Sequence, residues 1–326
     1  MKPGARRVAV GEVLPGEHGL ELAADVFLPE GKGRVRGPRS EAEPSEETGA
    51  PRAALFCFPG GGLHRGYFDL QAEGRSFARA LTARGFAVVT IDSLGWGESS
   101  RPRDGFALVP EVIAAANARA VEVLAGELEQ RCPGLPRIGV GHSLGGLLAI
   151  VQQAEHESFD ALVLLGVATG GLRSMLSDEE LGYADRPEQA RAELVRLARK
   201  RSGEAWFELP AVARAGAIFG FDADPAALAA MRRVACDVVS VPALFSMLPG
   251  SSAPWAARVR VPVFLGIGER DITGPPHEVV ASFPTSRDVT LHVLPGTGHG
   301  HFAFPTCERL FERIAAWSGD VRQKVK

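Results

Sequence analysis

The feature that most constrains this chain is a serine set among glycines between an apolar strand and an apolar helix. The strand is predicted over residues 138–140 and the helix over 147–154, and the turn between them reads Gly141-His142-Ser143-Leu144-Gly145-Gly146. A serine in so tight a turn has strained backbone angles, so the residues two before and two after it must be small. Glycine is 38 of 326 residues, so the motif gains its weight from the flanking strand and helix. The pattern predicts a hydroxyl held clear of a sheet at a helix N-terminus, which would stabilise an oxyanion.

Apolar strands alternate with helical segments along much of the chain. Strands are predicted over 53–58, 86–91, 137–140, 161–167, 261–267 and 289–294, and helices over 70–84, 110–131, 144–154 and 306–317. Apolar residues also alternate with polar ones over 8–13 and 20–27, which favours an antiparallel edge hairpin. Strands that alternate with helices predict an α/β fold with a mostly parallel sheet flanked by helices.

Two stretches interrupt this alternation. Residues 170–260 are rich in Ala, Arg and Glu, are punctuated by prolines and show no clear strand, which predicts a helical insertion. Residues 31–52 are polar and lack apolar periodicity, so a flexible excursion is expected there. We therefore predict one core domain from residues 1–169 and 261–326, with a helical cap over 170–260.

The composition disfavours several classes of protein. The net charge is −3 and no block of like charges could follow a phosphate backbone, so no nucleic-acid partner is expected. No run of about 18 apolar residues and no apolar leader occurs, so no membrane association and a cytoplasmic location are expected. The four cysteines are far apart, which predicts reduced thiols and no metal site: Cys57, Cys132, Cys236 and Cys307.

With these motifs, the chain resembles the α/β-hydrolase superfamily from the strand at residue 53 to the last helix. That family orders its catalytic triad as serine, acid and histidine, which implies Ser143 as nucleophile. The acid should follow the strand after the insertion, where Asp271 stands, with Glu269 as the alternative. Asp271 would orient and stabilise the imidazolium that forms during attack. Without Ser143, an aspartate at a loop end would be interpreted as a turn or helix cap.

Two histidines compete for the role of general base on the loop after the last strand. The sequence there reads Gly296-Thr297-Gly298-His299-Gly300-His301. The superfamily pattern Gly-x-Gly-His matches His299, which would take the serine proton and return it to the leaving group. His301 would then be a wall of the pocket or a residue behind the triad.

The resemblance also implies donors for an oxyanion. The backbone N–H of Leu144 should be one, and the second should come from Gly61 or Gly62, because residues 59–63 resemble the His-Gly-Gly-Gly loop of the superfamily. Proline replaces histidine here, which leaves open which glycine donates. A simple flexible turn is the alternative, whereas a phosphate cradle is disfavoured because no Gly-Lys-Ser or Gly-Lys-Thr follows.

Other residues are candidates for the substrate pocket or its scaffold. Asp92 opens a turn that resembles the superfamily pattern Asp-x-x-Gly-x-Gly-x-Ser, and it should tie this loop by hydrogen bonds. The candidate pocket residues outside the insertion are His64, Trp96, His142 and His301, although packing or surface roles compete for His64 and Trp96. Those within the insertion, most of which would simply form its core, are Trp206, Phe207, Phe219, Phe221, Phe245, Met247 and Trp255.

The resemblance implies a serine hydrolase that cleaves a carboxylic ester of a small, largely apolar molecule through an acyl-enzyme and without a cofactor. A thioester, lactone or amide substrate and acyl transfer would use the same residues, so they stay open. A lyase or cyclase, or a ligand-binding protein on the same fold, is the alternative. Dehalogenase and epoxide hydrolase functions are disfavoured, because they imply an aspartate in place of Ser143. A homodimer is an open alternative without sequence evidence.

Overall fold

Ten β-strands occur in the part of the chain that the computed structural model describes, which is residues 3–30, 50–209 and 222–321. They are β1 (Gly4–Ala9), β2 (Glu21–Phe27), β3 (Ala54–Phe58), β4 (Ala87–Ile91), β5 (Arg137–His142), β6 (Ala161–Leu165), β7 (Trp206–Phe207), β8 (Val238–Val239), β9 (Val263–Gly268) and β10 (Val289–Leu294). Eight of them form one sheet in the order β1-β2-β4-β3-β5-β6-β9-β10. Only β2 pairs antiparallel with its neighbours, β1 and β4, so the predicted α/β class with a mostly parallel sheet is confirmed.

The central strands are apolar throughout because both faces of the sheet are covered. All five residues of β3 are buried, and they alternate between two apolar clusters. Phe56 and Phe58 belong to the cluster on one face, while Leu55 and Cys57 belong to the cluster on the other. The two-residue period of the strand therefore divides the core into two layers.

Helices supply the cover on both faces. They are α1 (Phe77–Ala83), α2 (Pro110–Glu129), α3 (Leu144–His156), α4 (Asp178–Leu181), α5 (Pro187–Ala192), α6 (Leu194–Ser202), α7 (Pro225–Arg233), α8 (Ser240–Met247), α9 (Ala253–Ala256), α10 (Pro276–Val280) and α11 (Cys307–Gly319). Apolar side chains of α2 and α3 fill the first layer, and those of α1 and α11 fill the second.

Two predicted elements have the wrong bounds. The first strand lies at Gly4–Ala9 and not at 8–13, because it is an edge strand whose residues 5–7 are exposed and carry two arginines. The helix predicted from residue 70 begins only at Phe77, where the Ser76 hydroxyl accepts a hydrogen bond from the Arg79 N–H and caps it. A 3-10 helix, Arg65–Asp69, precedes it.

The insertion lies between β6 and β9 and contains α4 to α9. Besides these helices, β7 and β8 form a short antiparallel pair in which Trp206 lies opposite Val239, where the sequence indicated no clear strand. Buried side chains of α6, α8 and α9 belong to the same apolar cluster as α3: Leu197, Leu244 and Trp255. The insertion is therefore packed onto the sheet domain, and its role as a cap stays a prediction.

The polar excursion predicted over 31–52 falls mostly outside the described residues, because 31–49 are not among them. At its end, the Arg52 N–H donates to the carbonyl of Gly85 at 2.8 Å, and its guanidinium lies 5.1 Å above the Phe86 ring. These contacts tie Arg52 to the residues that precede β4, and the flexibility of the excursion stays a prediction.

Candidate active site

Ser143 occupies the turn between β5 and α3 with strained backbone angles, φ 52° and ψ −123°. A Cβ atom on Gly141 would lie 2.4 Å from the Cα of Gly146, and one on Gly145 would lie 2.3 Å from the carbonyl oxygen of Phe58. Both obstacles are backbone atoms, which cannot move aside as a flexible side chain would. Glycines at these two positions let the chain turn tightly and hold Ser143 at the end of the strand.

The hydroxyl of Ser143 is the first member of a hydrogen-bonded chain of three side chains. Its Oγ lies 2.8 Å from Nε2 of His299, and Nδ1 of His299 lies 2.7 Å from Oδ1 of Asp271. Because the carboxylate can only accept, Nδ1 carries the proton and Nε2 is free to accept the serine hydrogen. Ser143 is partly exposed, whereas His299 is buried and the Asp271 side chain has no exposed area. The two hydrogen bonds thus connect a partly exposed hydroxyl to a buried negative charge.

The loops that carry Asp271 and His299 follow neighbouring parallel strands, β9 and β10. Gly268 ends β9 directly against the second loop, since a Cβ there would lie 2.2 Å from the carbonyl oxygen of Thr297. That carbonyl also accepts a hydrogen bond of 2.9 Å from the Arg270 N–H. The two loops are therefore fixed to each other by backbone contacts at the carboxyl end of the sheet.

Asp271 lies in an environment that keeps its carboxylate charged. Burial by itself would raise the pKa of Asp271, but the positive charge of protonated His299 and hydrogen bonds from two imidazoles hold it well below its ordinary value. The second imidazole is that of His301, whose Nε2 donates to Oδ2 of Asp271 at 2.9 Å. The carboxylate therefore stays ionised beside the imidazole that it orients.

The alternative base, His301, and the alternative acid, Glu269, have other hydrogen-bond partners. His301 is fully buried and contacts Asp271 instead of the Ser143 hydroxyl. The Glu269 carboxylate accepts a hydrogen bond from the Gly296 N–H at 2.7 Å, so it closes the exposed turn before His299. The structure thus brings together Ser143, His299 and Asp271.

His142, the residue before the serine, is buried behind the side chains of Ser143, His299 and Asp271. Its Nε2 donates to the carbonyl oxygen of His299 at 2.8 Å, and its ring packs 4.7 Å from that of Tyr67. Burial, followed by the neighbouring charges of His299 and His301, holds the pKa of His142 well below its ordinary value. A neutral His142 therefore supports the loop of His299.

The glycine loop after β3 runs alongside the serine. A Cβ on Gly60 would lie 3.1 Å from Cβ of Ser143, and one on Gly61 would lie 3.4 Å from Cδ2 of Leu144. Gly62 has a left-handed φ of 78°, and a Cβ there would lie 2.6 Å from Leu209. The predicted oxyanion donors Leu144, Gly61 and Gly62 therefore lie in one region with the nucleophile.

The structure also reveals a tether that the sequence did not indicate. The Cys236 N–H donates to the carbonyl of Gly62 at 2.9 Å, and the His64 N–H donates to the carbonyl of Val234 at 2.9 Å. Leu63 and Ala235 form an isolated antiparallel bridge between these bonds. The glycine loop is thus held by the segment that follows α7 in the insertion.

Gly166 is a second neighbour of the site that sequence reasoning missed. It follows β6 with a φ of 60°, and a Cβ there would lie 3.1 Å from both Oδ2 of Asp271 and Nδ1 of His299. The sequence feature that could have identified it is a glycine directly after the buried strand that precedes the insertion. Its missing side chain leaves room for the imidazole and carboxylate to meet.

The remaining pocket candidates lie in supporting positions. His64 caps the 3-10 helix through Nδ1, which accepts from the Gly66 N–H at 3.1 Å. Trp96 is 2% exposed within the apolar core. In the insertion, Phe245 packs edge to face with Trp255 in that same core, with ring centroids 5.9 Å apart, and the Trp206 indole donates to the carbonyl of Gly95. Phe219 and Phe221 lie outside the described residues.

Asp92 ties its turn by hydrogen bonds. Its Oδ2 accepts from the Glu98 N–H at 3.0 Å and from the Arg65 guanidinium at 2.6 Å. A Cβ on Gly97, which has a φ of 48°, would lie 2.3 Å from that same oxygen. The fully buried carboxylate therefore organises the turn from inside.

Neither a metal centre nor a membrane-spanning helix is found within residues 3–30, 50–209 and 222–321. No group of three or more His, Cys, Asp or Glu side chains is placed there to hold a metal ion. No helix there combines the length and the apolar character needed to cross a membrane.

Comparison with known proteins agrees with this architecture. Human monoglyceride lipase is 30% identical to the chain over 123 residues, which is 36% of each protein, so the match spans about a third of that relative. Among solved structures, an esterase from Thermogutta terrifontis covers 98% of this chain and 99% of its own, with TM-score 0.55 and 18% identity. A monoacylglycerol lipase from Paleococcus ferrophilus covers 84% and 96%, with TM-score 0.59 and 20% identity. At these identities, the structural likeness shows the fold.

A family model matches most of the sequence. The model of the alpha/beta hydrolase family matches residues 55–313, from β3 to α11, and so includes the serine turn, the insertion and the loops of Asp271 and His299. The order of the sheet and the solved structures of similar fold agree with this match. The chain therefore belongs to the alpha/beta hydrolase family.

Proposed function

We propose that the protein is a serine hydrolase that cleaves carboxylic esters through an acyl-enzyme on Ser143. The observation that carries this proposal is the chain of hydrogen bonds from Ser143 through His299 to Asp271, with distances of 2.8 and 2.7 Å. These distances suit proton transfer from the hydroxyl to a base that a third group orients. The esterases and lipases among similar proteins support the same class of reaction.

The reaction would proceed in two displacements. His299 Nε2 accepts the serine proton as Oγ attacks the ester carbonyl, and the oxyanion rests on the N–H of Leu144 and of Gly61 or Gly62. The tetrahedral intermediate collapses, the alcohol leaves with the proton from His299, and the acyl group stays on Ser143. Water then attacks the acyl-enzyme with the same base, which releases the acid. Asp271 stabilises the imidazolium in both steps, and the proposed chemistry uses no cofactor.

The substrate that fits best is a small molecule with a largely apolar acyl or alcohol group. Apolar side chains border the glycine loop: Leu144 and Val238 lie beside Gly61, and Leu209 and Val238 lie beside Gly62. Val238 and Leu209 belong to the insertion, which supports the proposal that residues 170–260 act as a cap that shapes substrate choice. The partial match to a monoglyceride lipase makes monoacylglycerols a natural first test.

The experiment is hydrolysis of p-nitrophenyl esters of increasing acyl length and of monoacylglycerols by the wild type and by Ser143→Ala. We expect a loss of roughly 10³-fold or more in kcat for Ser143→Ala. The matched control is Ser286→Ala, which should keep full activity. The Ser286 hydroxyl donates to the backbone carbonyls of Val261, before β9, and Asp288, before β10, at the other end of the strands.

Each outcome decides between classes of function. Ester hydrolysis that survives in Ser143→Ala would contradict the proposal. An absence of activity on every ester, with Ser143 still labelled by a fluorophosphonate, would move the assignment to thioesters, lactones or amides. An absence of both activity and labelling in folded protein would favour the lyase or ligand-binding alternatives.

A further inference from the structure

The carboxylate of Asp271 is shared between two histidines. Oδ1 accepts from Nδ1 of His299 at 2.7 Å, and Oδ2 accepts from Nε2 of His301 at 2.9 Å. The side chains of Asp271 and His301 have no exposed area, and that of His299 has 5%. Each oxygen of the buried acid thus has its own imidazole donor, and only one of the two imidazoles reaches Ser143.

The two ring nitrogens of His301 differ in their surroundings. Its Nε2 must carry a proton because it faces a carboxylate oxygen. Its Nδ1 is buried and finds no hydrogen-bond partner among the described residues. His301 thus offers Asp271 one hydrogen bond, from Nε2.

The elements around His301 hold its ring in place. Residue His301 begins the 3-10 helix His301–Ala303, and this helix packs against α7 and is followed by α11. The titratable side chain that faces it from β5 is His142, whose ring centroid lies 5.7 Å away at an interplanar angle of 82°.

The charged residues on the neighbouring elements are Asp224, Arg75 and Glu308, of which the first two bind the backbone after His301. The Asp224 N–H at the start of α7 donates to the carbonyl of Ala303 at 2.8 Å. Arg75 donates to the carbonyl of Phe304 and pairs with Asp224 at 2.9 Å. Glu308 lies in the first turn of α11. Asp271 is therefore the acidic side chain to which the His301 ring itself is hydrogen-bonded.

We propose that His301 is a positioning residue that fixes the orientation of Asp271 and takes up part of its negative charge, and thereby limits how firmly His299 retains a proton. This inference rests on the proposed function, because it gives His299 the role of base. A carboxylate that also accepts from His301 attracts the imidazolium of His299 less strongly than one that accepts from His299 alone. Removal of the His301 donor should therefore strengthen the attraction between Asp271 and the imidazolium of His299.

Two variants separate the hydrogen bond from the volume of the side chain. His301→Leu fills a similar space without a donor, whereas His301→Gln can place an amide N–H near the position of Nε2. The readout is the rate at which a fluorophosphonate labels Ser143 across pH, which requires no knowledge of the substrate. In that reaction Oγ bonds to phosphorus, fluoride leaves and His299 accepts the hydroxyl proton.

We expect His301→Leu to slow the labelling roughly tenfold and to move the midpoint of its acid limb upward by about 0.5–1 pH unit, the effect of one lost hydrogen bond. His301→Gln should restore both the rate and the midpoint. A midpoint that stays unchanged in His301→Leu, or that moves equally in both variants, would overturn the proposal, because a purely structural role would slow labelling without this selective shift.

A measurement on the unaltered protein covers the case in which His301→Leu does not fold. Nitrogen-15 NMR of the histidine-labelled wild type should show His301 protonated at Nε2 and bare at Nδ1, and the reverse tautomer would overturn the proposal. A wild type that is labelled at Ser143 but cleaves no ester would overturn the proposed function and leave this inference standing. A failure of His299 as the base has a different signature, since the wild type would then not be labelled at Ser143 at any pH. That result would remove the base that His301 positions, and the inference with it.

Discussion

Nε2 of His142 donates a hydrogen bond of 2.8 Å to the carbonyl oxygen of His299, so the residue before the candidate nucleophile supports the backbone of the candidate base. The imidazole of His142 is 1% exposed, and burial lowers its pKa well below the ordinary range. One ring thus joins the turn after β5 to the loop after β10. Because burial keeps the imidazole of His142 neutral, we expect the stability of the fold to depend on pH.

The first prediction concerns this sensitivity. The unfolded chain protonates His142 below about pH 6.5, whereas the folded chain keeps it neutral to lower pH. The unfolded state then binds more protons, so the stability contributed by a neutral His142 is lost as the pH falls, by at most about 1.4 kcal/mol per pH unit. His142→Gln can keep the donor to His299 and should flatten this loss, as measured by urea unfolding between pH 7 and about pH 5. His277→Gln, a change at an exposed histidine, is the control, and an equal flattening there would contradict the interpretation.

The second prediction tests the tight turn at the serine. A Cβ in Gly145→Ala would meet the carbonyl oxygens of Phe58 and Pro59 at 2.3 Å, so we expect a loss of at least about 3 kcal/mol or a failure to fold. Gly126→Ala is the matched control, because Gly126 also lies in a helix and has nothing within 4 Å of the new Cβ. It should gain about 0.5–1 kcal/mol in free energy of unfolding. Similar stability changes in the two variants would contradict the geometry described for the turn.

The third prediction tests the glycine loop as an oxyanion site. Gly62 and Gly74 both have a left-handed φ, of 78° and 68°, so alanine should cost about 1 kcal/mol of stability at either position. Only Gly62→Ala disturbs the loop beside Leu144, and it should lower kcat for ester hydrolysis roughly 10- to 100-fold. Gly74→Ala should leave kcat unchanged. Equal kcat values for the two variants in steady-state assays would argue against a role of this loop in the transition state.

The fourth prediction concerns the buried ion pair between Arg65 and Asp92, in the turn that Asp92 opens after β4. Arg65 meets Asp25, Asp92 and Glu98 within 2.8 Å; although burial opposes its charge, Asp92 and the other two carboxylates raise the pKa of Arg65. Asp92→Asn leaves part of this charge uncompensated and should cost about 3 kcal/mol by urea unfolding. Arg6→Ala breaks an exposed pair with Glu127 and should change stability by less than about 0.5 kcal/mol. A similar small change in both would show that Asp92 does not hold the turn.

The sheet was predictable because its central strands are buried on both faces and therefore consist of continuous apolar residues. β10 has the predicted bounds, Val289–Leu294, and β3, β4 and β9 are each within two residues of theirs. Edge strands carry a weaker signal, since solvent accepts polar side chains there, and β1 was placed wrongly for that reason. The candidate triad could be named because its members follow strand ends in a fixed order along the chain.

Contacts between distant segments could not be predicted in the same way. The bond from His301 to Asp271 joins two loops 30 residues apart, and sequence alone left His301 open as a base or a wall. The sequence did not single out Gly60, yet a Cβ there would lie 3.1 Å from Cβ of Ser143, and the loop that carries it is bonded to the segment after α7. Such features depend on the relative placement of elements, and no local pattern of residues encodes that placement.

The tether between the glycine loop and the insertion has a consequence for engineering. A graft that exchanges residues 170–260 for the insertion of a relative would replace Val238, a wall beside Gly61, together with the Cys236 N–H that holds the Gly62 carbonyl. If the proposed function holds, such a graft should change substrate preference and catalytic rate together. A chimaera that retains residues 234–236 and changes the remainder of the insertion keeps both backbone hydrogen bonds to the glycine loop. These three residues should therefore stay with the sheet domain in a redesign.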